Sequence, residues 1–333
     1  MRVLVTGSAG FIGFHVARRL LTEGHEVIGI DGMTPYYDVA LKRRRHALLR
    51  AYPRFVAHEI MLEDRAALAR VVEGARISVI IHLAAQAGVR YGAHRPDTYI
   101  DSNVVGTSNL IDLARGMALD HFVLASTSSV YGPATDLPFI ETERCDYPLS
   151  LYAATKKATE GLAHSFSHLS GTPVTALRFF TVYGTWGRPD MALFLFVDAI
   201  LRGHAIDVYG NGQMERDFTY IDDVVESVLR VLPCIPVRGD KATGCSPVAP
   251  YRVVNVGNGQ PVPLMDFVHA IETCLGRTAR TNFMPMQPGD MQRTWADASL
   301  LEHLTGFRPK TSLRVGVARF VAWYRDYYAQ HDA

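Results

Sequence analysis

The first half of the chain repeats one pattern: a short apolar run, then a helix-length segment, then another apolar run. The runs fall at 3–6, 26–31, 54–60, 78–84, 121–126 and 173–180. Segments 64–74, 97–117 and 152–170 between them are long enough for crossover helices. Strands that are apolar almost throughout are buried on both faces, and joined through helices they run parallel. The pattern predicts an α/β fold: a Rossmann-type, doubly wound parallel sheet. Phe11, His15, Val16, Leu20 and Leu21 carry the helical period of the first crossover, which Gly24 ends.

The rhythm changes after residue 184. A helix over 191–203 and a mixed segment over 206–232 are expected, then a surface loop rich in proline and glycine over 233–250. A strand at 251–257 returns to the main sheet. The expected division is a cofactor-binding unit over 1–180 and a smaller mixed α/β substrate-binding part over 181–333, laid against the carboxyl edge of the sheet.

Composition narrows the partners. Lys plus Arg total 34 and Asp plus Glu 33, a formal charge of +1, which argues against a nucleic-acid surface or binding to an acidic membrane. The run Lys42–Arg45 reads as a solvated helix face. Cys145, Cys234, Cys245 and Cys274 are scattered, so reduced thiols are expected rather than a metal site or disulfides. No apolar run approaches the ~18 residues of a membrane span. The opening "MRVLVTGSAGFIG" breaks with glycine where a signal peptide needs an apolar core. These features predict a cytoplasmic protein.

Gly7, Gly10 and Gly13 lie between the first strand and first helix, where glycines let backbone N–H groups approach a pyrophosphate. Asp31 ends the second strand, placed for the hydroxyls of an adenosine ribose. A carboxylate there repels a 2′-phosphate, and no basic residue follows directly. NAD is expected over NADP.

"SLYAATKKA" carries Tyr152 and Lys156 four apart, on one helix face. "ASTSSVYG" puts Ser126, Thr127, Ser128 and Ser129 at a strand end. Removing hydride from a carbinol needs a base for the hydroxyl proton. A phenol titrating near ~10 serves if a neighbouring ammonium and a positive nicotinamide favour the phenolate. Lys156 is expected to supply that charge and to hold the nicotinamide ribose, and Thr127 to bond the reacting oxygen.

Together with "HLAA" at 82–85, Asn103 and "RDFTYIDDVV" at 216–225, these motifs resemble the extended short-chain dehydrogenase/reductase family from end to end. The resemblance implies that Phe11, Ile12, Leu83, Ala84, Ala85, Asn103, Ser126 and Phe180 join the glycines, Asp31, Tyr152 and Lys156 around NAD. "MTPYYDVALKRRR" and "FFTVYGTWGRPDM" resemble, more narrowly, the UDP-glucuronate 4-epimerases. That likeness implies interconversion of UDP-glucuronate and UDP-galacturonate through a 4-keto sugar, and a homodimer paired through two helices from each subunit.

Arg188 is then the expected partner of the C6 carboxylate, with Thr181, Ser128 and Ser129 beside it. The structural alternative is an ion pair with Asp190 or Glu215. Arg216 and Arg293 are expected at the UDP phosphates. Arg90 is left between substrate contact and loop structure. In one departure, Met61 stands where relatives carry an aspartate that meets adenine. The rival activities are UDP-glucuronate decarboxylation, UDP-hexose 4-epimerisation and, in another class, non-catalytic NAD binding.

Overall fold

The computed structural model describes residues 1–89, 91–93 and 95–329. Its first half alternates as expected. β1 (Arg2–Thr6) feeds α1 (Phe11–Thr22) and β2 (Glu26–Asp31). Next come α2 (Val39–Arg50), β3 (Phe55–Glu59), α3 (Arg65–Val72) and β4 (Val79–His82). After them stand α4 (Pro96–Tyr99), α5 (Gly106–Ala114), β5 (His121–Thr127), α6 (Leu151–Ser170) and β6 (Val174–Phe179). Local chemistry sets the helix starts. Asp38 Oδ1 accepts from Ala40 N, Asp64 Oδ1 from Ala67 N, and Ser150 Oγ from Ala153 N. Gly171, in the left-handed conformation, ends α6.

The second half holds β7 (Thr181–Tyr183), α7 (Ala192–Leu201), β8 (Ala205–Tyr209), β9 (Glu215–Tyr220), α8 (Ile221–Val231) and β10 (Tyr251–Val256). The chain closes with β11 (Pro261–Pro263), α9 (Leu264–Leu275), β12 (Arg280–Met284), α10 (Ser299–Thr305) and α11 (Leu313–Ala329). The main sheet has seven strands in the order β10-β6-β5-β4-β1-β2-β3, every pair parallel. Strand order reverses at β1, so a crevice opens beyond the carboxyl ends of β1 and β4. β11, β9 and β7 form a small sheet, and β12 pairs with β8. One apolar core runs from α1 and β1 through α7 and α9 to α11.

Three expectations need correction. Segment 97–117 is not one helix: residues Ile100–Val105 form a π-helical turn between α4 and α5, a widening that re-aims side chains. The mixed segment after residue 184 contains strands that the sequence reading did not separate. The Lys42–Arg45 run is not a solvated face. Arg43 and Arg44 are exposed, but Lys42 is 6% and Arg45 0% exposed, because each finds backbone oxygens to bond. The 233–250 loop is fastened to α6 through His164–Ser246 and His168–Val248 O contacts of 2.9 and 2.8 Å. Among the described residues no helix is long and apolar enough to cross a membrane.

Candidate active site

A cavity of about 350 Å³ opens at the crevice and extends from the glycine turn past the strand ends to Arg188 and Met191. Gly7, Gly10, Phe11, Ile12, Gly13, Asp31, Leu83, Ala84, Ala85, Ser126, Tyr152, Lys156 and Phe180 all line it.

The glycine turn is built for close approach. Gly7 has φ +72°, and a Cβ there would stand 2.8 Å from Ala84 N. A Cβ on Gly13 would stand 2.0 Å from Gly7 O. Gly10 is the N-cap of α1 and offers no side chain, so the N–H groups of the first turn are left for a ligand. Asp31 is fixed from behind: its Oδ2 accepts from Ala9 N at 3.0 Å and its Oδ1 from Met33 N at 2.9 Å. Met61 lines this end as well. Its Sδ lies so close over Gly32 that a Cβ there would be 2.1 Å away. Apolar packing takes the place of an aspartate at that wall.

The structure adds a cation that sequence adjacency to Asp31 did not suggest. Lys42 reaches the lining from α2 and donates to Thr34 O at 2.7 Å and Thr34 Oγ1 at 3.1 Å. Burial lowers its pKa, and the Asp31 carboxylate opposes that.

At the strand end, Thr127, Ser128 and Ser129 line the cavity with Tyr152 and Lys156. Thr127 Oγ1 accepts from Ser129 N at 3.2 Å. Lys156 Nζ donates to Ala125 O at 2.8 Å. Burial lowers the lysine to about 8, against the pull of Glu160. Burial raises the Tyr152 pKa, opposed by the Arg188 charge and by a hydrogen bond with Thr127. The Ser126 hydroxyl is engaged from below, donating to Glu160 Oε1 at 2.6 Å. Arg178 pairs both oxygens of Glu160 at 2.9 and 3.0 Å and stacks on Tyr131. This buried pair fixes the floor beneath the strand end.

At the far end Thr181 and Arg188 line the cavity together with Tyr36. Arg188 is bound to Asp190 through two bonds, Nε to Oδ1 at 3.0 Å and Nη2 to Oδ2 at 2.5 Å. Tyr36 Oη donates to the same Oδ2 at 3.0 Å.

Other predicted residues fall outside the lining. Asn103 is 1% exposed, and its side chain pairs with both the N–H and C=O of Gln86 and with Thr155 Oγ1. Its amide ties the wall to α6 instead of facing the cavity. Arg216 donates to the carbonyls of Glu215 and Gln292. Arg293 pairs with Glu215 Oε2 at 2.7 Å and lies over Trp295. Neither is among the lining residues. Arg90 lies outside the described residues.

Sequence reasoning missed Tyr36, Lys42 and Glu160; it offered Asp190 only as the structural alternative for Arg188, and that ion pair is present. Glu160 had a signal: it follows Lys156 by four on the same helix face as Tyr152. Arg178, a charge inside an otherwise apolar strand, asked for a buried partner.

Comparison with known proteins identifies the family. Residues 3–239 match the NAD dependent epimerase/dehydratase family. A Rhizobium meliloti protein named "Probable UDP-glucuronate 4-epimerase" is 58% identical, with 98% of each chain covered. UDP-glucuronate 4-epimerase 3 of Arabidopsis thaliana is 44% identical over 98% of this chain and 77% of its own. The crystal structure of the Bacillus cereus UDP-glucuronic acid 4-epimerase with UDP-glucuronic acid and NAD superposes with a TM-score of 0.88. It is 31% identical, covering 98% of this chain and 100% of that one. With a family match over most of its length, full-length relatives and a shared fold, this chain belongs to the NAD dependent epimerase/dehydratase family.

Proposed function

We propose that this protein is a UDP-glucuronate 4-epimerase, interconverting UDP-glucuronate and UDP-galacturonate with NAD as its resident cofactor. One observation carries the reading: Arg188 lines the same cavity as Tyr152 and Lys156. A guanidinium beside the proposed base suits a sugar that carries a carboxylate.

The residues present fit NAD. The uncapped start of α1 and the Gly7–Gly13 cradle suit a pyrophosphate, and Asp31 suits ribose hydroxyls. NAD, when bound, takes up and returns the hydride at C4 of the sugar. Tyr152 holds and releases the O4 proton, and the Thr127 hydroxyl orients it. Lys156, anchored on Ala125 O, has donors left for the nicotinamide ribose.

The 4-keto glucuronate is a β-keto acid and loses CO₂ if its C5–carboxylate bond aligns with the carbonyl π system. Arg188, Thr181, Ser128 and Ser129 hold the carboxylate out of that alignment. Arg216 and Arg293 are our candidates for the UDP phosphates; anchoring there lets the ring turn over while the nucleotide stays in place. We assign a cytoplasmic location from the supply of NAD and nucleotide sugars. We also assign a homodimer, in which Val105 beside α5 and Leu169 on α6, 39% and 68% exposed, would be covered.

The test is incubation of purified protein with UDP-glucuronate, separation of the nucleotide sugars and measurement of CO₂. UDP-galacturonate without CO₂ is the expected result. A UDP-pentose with equimolar CO₂ would make the protein a decarboxylase. Bound NAD without turnover would make it a binding protein.

A further inference from the structure

Three consecutive carbonyls between β7 and α7 are gripped by side chains from the other half of the chain. His15 Nε2 meets Thr185 O at 2.9 Å. Arg45 Nη2 donates to Trp186 O at 2.6 Å and to Gly187 O at 3.2 Å. The other arm of Arg45 reaches the glycine turn: Nη1 donates to Ala9 O at 2.8 Å and to Tyr37 Oη at 2.8 Å. Ala9 is the residue whose N–H is held by Asp31. One guanidinium, 0% exposed, thus joins the cofactor turn to the loop whose next residue is Arg188.

The loop needs such a grip. Trp186 has φ +58°, a left-handed conformation that is strained for a residue with a side chain. It persists only where surroundings over-determine it. The indole is wedged beside Phe14, Trp323 and Tyr327, with ring centroids 5.5, 5.3 and 5.3 Å away. The rings fix the side chain. His15 and Arg45 fix the peptide planes, and the planes set where Arg188 departs from the backbone. Burial keeps His15 neutral, its pKa lowered to about 3, so it donates to Thr185 O as uncharged imidazole.

We propose that Arg45 is a positioning residue for uronate recognition: by holding the Trp186 and Gly187 carbonyls against the glycine turn, it aims Arg188 into the Tyr152 cavity. This rests on the reading of Arg188 as the partner of the sugar carboxylate. Lysine is a poor replacement, because a point donor cannot span Ala9 O and Trp186 O as a planar fork does.

The test compares Arg45→Met, Arg45→Lys, Arg188→Ala and the Arg45→Met/Arg188→Ala double variant. For each, kcat and KM are measured for UDP-glucuronate and the competitive inhibition constant for UDP. Arg45→Met is expected to raise the UDP-glucuronate KM on the order of tenfold, the scale of a misplaced binding group. UDP inhibition should stay within about twofold, and Arg45→Lys should fall between wild type and Arg45→Met. The double variant should match Arg188→Ala alone, since residues acting through one another are not additive.

Equal weakening of UDP and UDP-glucuronate by Arg45→Met would make Arg45 a general structural residue and overturn the proposal. So would additive losses in the double variant, or Arg45 variants with the wild-type KM while Arg188→Ala raises it. An Arg188→Ala variant with unchanged uronate KM would sink the reading of Arg188 itself. If Arg45→Met does not fold, Arg45→Lys alone and combined with Arg188→Ala makes the same comparison.

Discussion

Arg188, on the wall of the cavity that holds Tyr152, forms a two-bonded ion pair with Asp190, two residues on along the same loop. Their side chains are 19% and 28% exposed, so neither is sealed from solvent, and Arg188 itself faces the cavity. A substrate carboxylate at Arg188 meets a second carboxylate already there. The guanidinium has five N–H donors and can serve both, but the two anions repel each other. Asp190→Asn removes that repulsion and keeps an acceptor for Tyr36 Oη. It should lower the KM for UDP-glucuronate a few-fold, roughly 1 kcal/mol at the dielectric of a part-exposed site. Steady-state kinetics of the variant check this; a raised KM would instead assign Asp190 to holding Arg188 in place.

Removing the cation has the opposite effect. Arg188→Ala should reduce kcat/KM for UDP-glucuronate by roughly 2–4 kcal/mol, the usual cost of unpairing a buried charge. Inhibition by UDP-glucose, which lacks the carboxylate, should change much less. Because Arg188 opposes the burial-driven rise of the Tyr152 pKa, and Tyr152 acts as the base, the variant's acidic limb in a pH–rate profile should also move to higher pH. Equal loss on both ligands, with an unmoved profile, would leave Arg188 no role in recognising the carboxylate.

Tyr152→Phe keeps the ring and deletes the proton carrier. Turnover should fall on the order of 10²–10⁴-fold, as for other acid–base groups. UDP-glucuronate should still bind, which calorimetry with the variant can measure. Turnover near wild type would remove Tyr152 from the chemistry.

The Asp31 carboxylate and the Lys42 ammonium pull cofactor choice in opposite directions. Asp31 disfavours a 2′-phosphate, and Lys42, on the same wall, would attract one. NAD should bind more tightly than NADP in the wild type. Asp31→Asn should narrow that preference on the order of 10- to 100-fold, about 1.4–2.7 kcal/mol. Titration of both nucleotides into both proteins decides it; an unchanged ratio would show that discrimination lies elsewhere.

What the sequence made legible follows from how local each signal is. β1, β2 and β5 are short apolar runs in a sheet buried on both faces, and such runs announce themselves. The turn of Gly7, Gly10 and Gly13 and the Tyr152–Lys156 spacing are equally local. β7 and β9 are short and carry mixed residues such as Arg216 and Asp217, whose burial depends on distant partners. Asp217 is 0% exposed because Ala296, Asn258 and Gly259 donate backbone N–H groups to it. Arg45 was hidden for the same reason: its acceptors lie on Ala9, Tyr37, Trp186 and Gly187. Asn103 shows the reverse error, where a motif placed a residue near the site but gave no sign that its amide holds Gln86.

Lys156 ties the chemistry to stability. Its ammonium is buried, and its pKa falls from the ordinary 10.5 to about 8. A cation whose folded pKa is depressed resists protonation in the fold. Its contribution to stability is complete above about pH 10.5 and is lost as pH falls toward about 8. At pH 7 the folded protein therefore carries an unfavourable charge, held in part by Ala125 O and Glu160. Lys156→Met removes the charge and keeps most of the volume, and it also loses the Ala125 bond, worth about 1 kcal/mol. The net expectation at pH 7 is a stabilisation on the order of 1–3 kcal/mol, accompanied by loss of turnover. The advantage over wild type should shrink as pH rises from about 8 to 10.5. Urea unfolding of both proteins at pH 7 and pH 10, freed of nucleotide so that cofactor affinity does not enter, measures it. A variant less stable at pH 7, or a difference that does not change with pH, would mean that the lysine is folded without strain and that its charge is fully accommodated by Glu160 and Ala125 O.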